Sequence, residues 1–378
     1  MLKKIVLTLI VSASIFLNFT NVSAHNLGSK GSESAGYLYV GSHWPSRSTN
    51  YSEATSDTWE NRFKSGVSKF KNENIGYSIT EVSSANSSNF IESYSAPSAT
   101  WVAQRTFYGI SNDHPTRWRI QYNSAKSANS WTTVGAHEIG HIYGLADLYE
   151  DRNSSKLMYG YDNGVRYTQS SDKTGFSYIY GVLIASNVMT SSTGELSQYS
   201  LGNIDNNDEA AREKVKELNE KVINGEEKII DVSAMFPEVS KEEAFEEADL
   251  VIKGSVKSIK SEYMENIDIP FTDFIFEVDD YWKNVLDLND PENLIITQDG
   301  NSVISFNKHP LMKVGEEYFL FLKRIIDSNN QGKFILIGGP NGNFALEKGI
   351  IQEEIDIQSV NGESEYEFIR NASNGEIK

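Results

Sequence analysis

Cysteine is absent from all 378 residues of the chain. That excludes thiol catalysis, thiolate zinc ligands, iron–sulfur clusters and a lipid-bearing cysteine anchor. With no disulfide to close, so long a chain must be held by its core, by metals or by both. Long apolar runs are scarce as well. The one near the start, residues 5–19, follows Lys3 and Lys4 and leads to Val22-Ser23-Ala24. A basic start, an apolar middle and small residues at the end predict an export signal over residues 1–24 and a mature chain beginning at His25. No other segment approaches the roughly 20 apolar residues that a membrane helix needs. The expectation is a secreted, extracellular protein without a transmembrane segment. Positive charge is in short supply: 34 Lys and Arg stand against 52 Asp and Glu, for a net charge of −18. The deficit is one-sided. Residues 25–181 carry 14 of each sign, whereas residues 182–378 carry 18 basic and 38 acidic groups. The lack of a basic patch argues against nucleic acid as a partner. The acidic half favours solubility and cationic partners or ions.

The length suits two or three domains. Trp59, Phe63, Val67 and Phe70 are spaced 4, 4 and 3 apart, which predicts a helix within residues 51–71. Residues 75–82, 99–108 and 117–122 read as strands, and residues 132–145 and 172–180 as helices. Strands and helices mixed in this order predict an α/β (α+β) domain with a twisted mixed sheet and three helices over residues 25–184. Residues 185–240 read as a polar linker followed by a charged helix, 209–227. Beyond it, residues 241–248 predict a short helix. Runs at 250–259, 273–278, 293–297, 318–323, 333–337 and 343–346 predict strands, with Gly- and Asn-rich turns between them. Residues 241–378 are therefore expected to form an acidic, mostly β domain, an OB-like barrel or a sandwich.

Histidine is rare in this chain, with six copies, yet two of them stand four apart on a predicted helix with Glu beside the first: His137-Glu138-Ile139-Gly140-His141. One helical turn is about 3.6 residues, so His137 and His141 share a face and can reach one zinc ion at about 2.0–2.1 Å. Glu138 lies about 100° around the helix, beside the ion and not on it, where a general base is needed. Gly144 allows the helix to end in a left-handed turn. Asp147 then arrives where a third ligand is required. Asp162, Glu150 and Asp151 are the competing carboxylates. The run Asp147, Glu150, Asp151 and Asn153 offers oxygen ligands that make calcium a second candidate ion, but it lacks an EF-hand spacing and reads first as a solvated loop. His25, His43, His114 and His309 show no partner pattern and read as non-catalytic.

On these residues the chain resembles the metzincin zinc peptidases, and within them the matrixin branch. Ser155-Lys156-Leu157-Met158-Tyr159-Gly160 looks like the matrixin Met-turn, which implies that Met158 lies under the metal. Residues 168–181, ending Tyr178-Ile179-Tyr180-Gly181, look like the closing helix. The likeness covers residues 25–181. Matrixins usually carry His where Asp147 stands, and aspartate there is similar to the snapalysin-like metzincins. It leaves a metal centre of about +1 charge where three imidazoles would leave about +2. The propeptide cysteine that keeps many matrixins latent has no counterpart. The resemblance further implies that Tyr159, Gly160, Tyr161, Asp162 and Asn163 line the pocket for the residue after the scissile bond. The C-terminal half is similar in strand order to the OB-like barrels of netrin-like modules.

Taken together, these features predict a secreted zinc metalloendopeptidase acting on extracellular protein or peptide substrates with one catalytic zinc. The peptide would lie in a cleft along a sheet edge, on the strand within residues 99–108. The C-terminal half would supply an exosite or a cell-surface partner. The rival expectation is a secreted binding, adhesion or inhibitor protein on a non-catalytic zinc domain.

Overall fold

The computed structural model describes residues 30–39, 41–72, 76–112, 114–180, 209–288, 294–306, 309–326, 332–347, 350–352, 370 and 372–373. Its first pair of strands, β1 (Lys30–Ser32) and β2 (Tyr37–Tyr39), is antiparallel. The helix expected over residues 51–71 begins later: α1 spans Asp57–Asn72, and Tyr51 belongs instead to β3 (Ser48–Glu53), where it sits opposite Glu81 of β4 (Ser78–Glu81). The face chosen by spacing is the buried one, since Phe63, Val67 and Phe70 are in the core and Trp59 packs against it. Asp57 and Glu60 in the first turn suit the positive end of the helix dipole.

The remaining elements up to residue 237 complete one sheet and its helices. They are β5 (Phe90–Tyr94), β6 (Ala103–Ser111), β7 (His114–Asn123), α2 (Trp131–Ile142), β8 (Tyr161–Asp162), α3 (Ser170–Tyr180), α4 (Glu209–Ile223) and β9 (Ile229–Pro237). The seven strands run in the order β4-β3-β5-β7-β6-β9-β8. β3, β4, β5 and β7 are parallel, and β6 turns back antiparallel to β7. Helices α1 and α2 cross closely at glycine: a Cβ on Gly66 would stand 2.8 Å from the backbone nitrogen of Ala136.

One expectation fails here. The stretch 185–240, read as linker and charged helix, contains a strand of this sheet. α4 is the charged helix, but β9 pairs antiparallel with β6 and parallel with β8. The Ser- and Asn-rich run at 185–208 lies outside the described residues.

After α5 (Lys241–Glu247), which opens with a Ser240–Glu243 capping box, the chain turns to strands: β10 (Leu250–Glu265), β11 (Ile269–Asn284), β12 (Leu294–Asp299), β13 (Glu317–Arg324), β14 (Lys333–Leu336), β15 (Asn343–Glu347) and β16 (Ile350–Gln352). β10 pairs with β11, β11 with β12, β12 in parallel with β14, β14 with β13, and β13 again with β10. Five strands thus close a ring around Ile252, Phe274, Phe276, Ile296, Leu320 and Leu336. The described residues as a whole are mixed α/β, with mixed sheets and five α-helices.

β10 and β11 run far past their expected ends, and their hairpin reaches the first sheet. At its tip Asp268 ion-pairs with Arg119 of β7 at 2.5 Å and accepts from the Tyr108 hydroxyl of β6 at 2.5 Å. Asp268 and Arg119 are both fully buried. Asp299 accepts from the Thr100 backbone at 3.1 Å, and burial pushes its carboxyl up to about 6. β9 lies between the halves: Val232, Ala234 and Phe236 share one buried cluster with Ile269, Phe271 and Phe306.

Candidate metal centre

Ser130 caps α2 by accepting from Thr133 N, and the helix holds His137, Glu138 and His141 fully buried. It ends as its residues require. Gly144 adopts φ +92°, and Leu145 N donates back to Gly140 O at 3.1 Å. A left-handed residue with such a backward bond turns the chain out of the helix. The loop then returns Asp147 to the two histidines.

Backbone carbonyls orient both imidazoles. His137 Nδ1 lies 2.9 Å from Leu157 O, and His141 Nδ1 lies 2.7 Å from Leu145 O. A carbonyl only accepts, so each Nδ1 carries the hydrogen, and each ring, once neutral, presents its Nε2 lone pair; against the opposing effect of burial, Asp147 raises the pKa of His141. The two Nε2 atoms are 2.9 Å apart, and Asp147 Oδ1 stands 3.0 and 3.3 Å from them. Three ligand atoms held at 2.0–2.1 Å by a tetrahedral ion would be about 3.3–3.4 Å apart. The triangle fits a zinc ion with one face protein and one position open. Lone pairs pointed at one another, with Asp147 Oδ1 lacking a directed hydrogen bond, make little sense without a cation between them.

Glu138 stands beside this triangle, close enough to group with both histidines. Both of its carboxylate oxygens are buried and have no hydrogen-bond partner. Burial pushes its pKa up to about 8; His141 opposes the shift and the charge of Asp147 adds to it. Burial also pushes His137 down to about 4, with His141 beside it acting the same way. Asp147 goes the other way: burial opposes its charge, yet His141 and His137 hold it below the usual carboxylate range. The hydroxyl of Tyr149 bonds the Asp147 side chain.

Among the competing carboxylates, Asp162 accepts from Asn129 N, and Glu150 pairs with Arg152 at 2.5 Å. Asp151 is exposed. Asn153 donates to Glu33 at 2.7 Å. Met158 is buried against α2, where a Cβ on Gly140 would overlap its sulfur. Tyr159, Gly160, Tyr161 and Asp162 are buried and Asn163 is exposed; Gly160 O accepts from Phe236 N, and Tyr161 and Asp162 pair with β9. His43 and His114 meet edge to face at 4.8 Å in the core, and His309 packs on Phe236. His25 lies outside the described residues.

Three buried groups carry no motif. Arg105 on β6 borders the same cavity as Asp147 and bonds Asp231 at 2.9 Å. Arg166 donates to Tyr159 O at 2.7 Å and so fixes the turn around Met158. Asp172 accepts from Gln169 N at 2.7 Å. A lone Arg or Asp among many gives the sequence no signal, because its burial is decided by distant segments. The strand edge expected to receive a peptide, that of β6, is covered by β9.

No protein-family model matches the chain, and no curated protein matches it.

Proposed function

We propose that the chain is a secreted zinc-dependent endopeptidase of the metzincin type. One observation carries the reading: a buried triangle of His137, His141 and Asp147 ligand atoms beside the unpartnered carboxylate of Glu138. A purely structural zinc site is closed by four protein ligands and has no use for a free buried base.

Bound zinc supplies Lewis acidity, which polarises a scissile carbonyl and makes water acidic enough to attack at neutral pH. The protein supplies the rest. His137 and His141 are locked in the ligating tautomer by Leu157 O and Leu145 O. Glu138 takes the proton from the attacking water and passes it to the leaving amine. The ring order of the C-terminal strands supports an OB-like barrel as a second domain.

The covered edge of β6 favours a second reading, in which a non-catalytic zinc domain serves binding. Chelation followed by zinc return separates the two. The peptidase loses and regains hydrolysis of unfolded casein; the binding protein takes up zinc and cleaves nothing.

A further inference from the structure

Beside the metal centre, the groove between β6 and β8 already contains an extended peptide, and it is the chain's own. β9 runs antiparallel to β6 from Ala103↔Met235 to Tyr108↔Ile229. It runs parallel to β8 at Tyr161↔Phe236 and Asp162↔Pro237. Both walls bond its backbone: Met235 O accepts from Val102 N at 2.8 Å, and Phe236 N donates to Gly160 O at 3.0 Å. These are the main-chain bonds by which a foreign strand would add to the sheet. The side chains are read as well. Ser233 accepts from the buried Arg105 at 2.7 Å. Met235 is wholly buried, in the cluster that holds Ile139 of α2 and Met158.

Its position relative to the metal centre follows from its neighbours. Residues 231–234 line a cavity of about 250 Å³ whose wall also includes the ligand Asp147, with Leu145 and Ala146. Met235 then leaves that cavity for the core.

Resting on the peptidase reading, we propose that β9 is an internal ligand of the substrate groove, which keeps the full-length chain latent. An incoming extended peptide with an unbranched apolar residue at the Met235 seat must displace it.

The chain has no cysteine, so Thr106→Cys with Val232→Cys introduces one disulfide between residues that face each other across β6 and β9. Opposed residues bring their Cβ atoms to about 4.5–5.5 Å, within a small adjustment of a disulfide. Met235→Asp unseats the strand instead. Binding of a fluorescent peptide copying residues 230–238 is measured on the metal-free full chain, and peptide hydrolysis on the zinc-loaded one. The oxidised double variant should neither bind nor cleave, and reduction should return it to the wild-type level. Met235→Asp should bind the peptide at least about ten-fold more tightly than wild type, with faster amide exchange at 232–236. Measurable peptide binding and hydrolysis by the oxidised variant overturn the proposal and leave the peptidase reading intact. Peptide binding that responds as described, with no hydrolysis by any variant, upholds the groove and overturns the peptidase reading. Should Met235→Asp fail to fold, the disulfide pair decides alone.

Discussion

Gly140 and Met158 share one space: the methionine sulfur occupies the place a Cβ on residue 140 would take. Gly140 faces the turn that carries Leu157, whose carbonyl orients His137. Gly140→Ala therefore pushes on Met158 and on the turn beside His137. The expected result is a loss of about 1–3 kcal/mol in stability, as for other overpacked cores. Denaturant unfolding of the metal-free chain measures it, and unchanged stability would show that Met158 can move aside.

A second prediction concerns Asp147. Asp147→Ala should lower zinc affinity by more than the roughly 10–100-fold typical of losing a residue behind the ligands. Asp147→His should retain zinc, since imidazole is also a ligand of such sites. Competition with a chromophoric chelator reads both. Full zinc affinity in Asp147→Ala would remove Asp147 from the ligand set.

Asp268 and Arg119 join the hairpin of β10 and β11 to the first sheet, and neither is exposed. Removing one member of such a pair leaves a buried charge, at a cost of about 3–5 kcal/mol. Glu92 remains 3.2 Å from Arg119, so Asp268→Ala is expected near the lower end. Equilibrium unfolding tests this; a cost below about 1 kcal/mol would mean that Glu92 and solvent replace Asp268.

The junction at Asp299 should be sensitive to pH. Its folded pKa, about 6, lies above the ordinary 3.8, so the folded chain holds the proton more tightly. The stabilisation is fully present below pH 3.8 and is lost as pH rises toward 6. A rise from 3.8 to about 6 corresponds to about 3 kcal/mol. Asp299→Asn should remove this dependence, so that the stability difference between variant and wild type grows in the variant's favour between pH 4 and 6, a range bounded by those two values. A difference independent of pH would contradict the assignment.

What could be read from the sequence was local. The spacing of His137 and His141, the left-handed turn at Gly144 and the return of Asp147 all act within one helix and one loop, and all three lie where the pattern puts them. The buried face of α1 was legible for the same reason, but its start was not. Tyr51 continues the aromatic pattern, yet pairing of β3 with β4 claims it. β9 escapes a sequence reading because a short apolar run beside a charged helix does not say which sheet edge it will join, and its partner β6 lies more than a hundred residues earlier. Arg119 and Asp268 are invisible as a pair for the same reason, standing 149 positions apart.

The most direct test of the peptidase account compares wild type with Glu138→Gln, both stripped of metal and reloaded with zinc, each with and without Met235→Asp to free the groove. Zinc content and cleavage of unfolded casein are measured by mass spectrometry. Expected are one zinc per chain throughout, hydrolysis that rises when the groove is freed, and a loss of about 10²–10⁴-fold with Glu138→Gln. Stoichiometric zinc with no hydrolysis in any form carrying Glu138, or equal hydrolysis with and without it, would contradict the account.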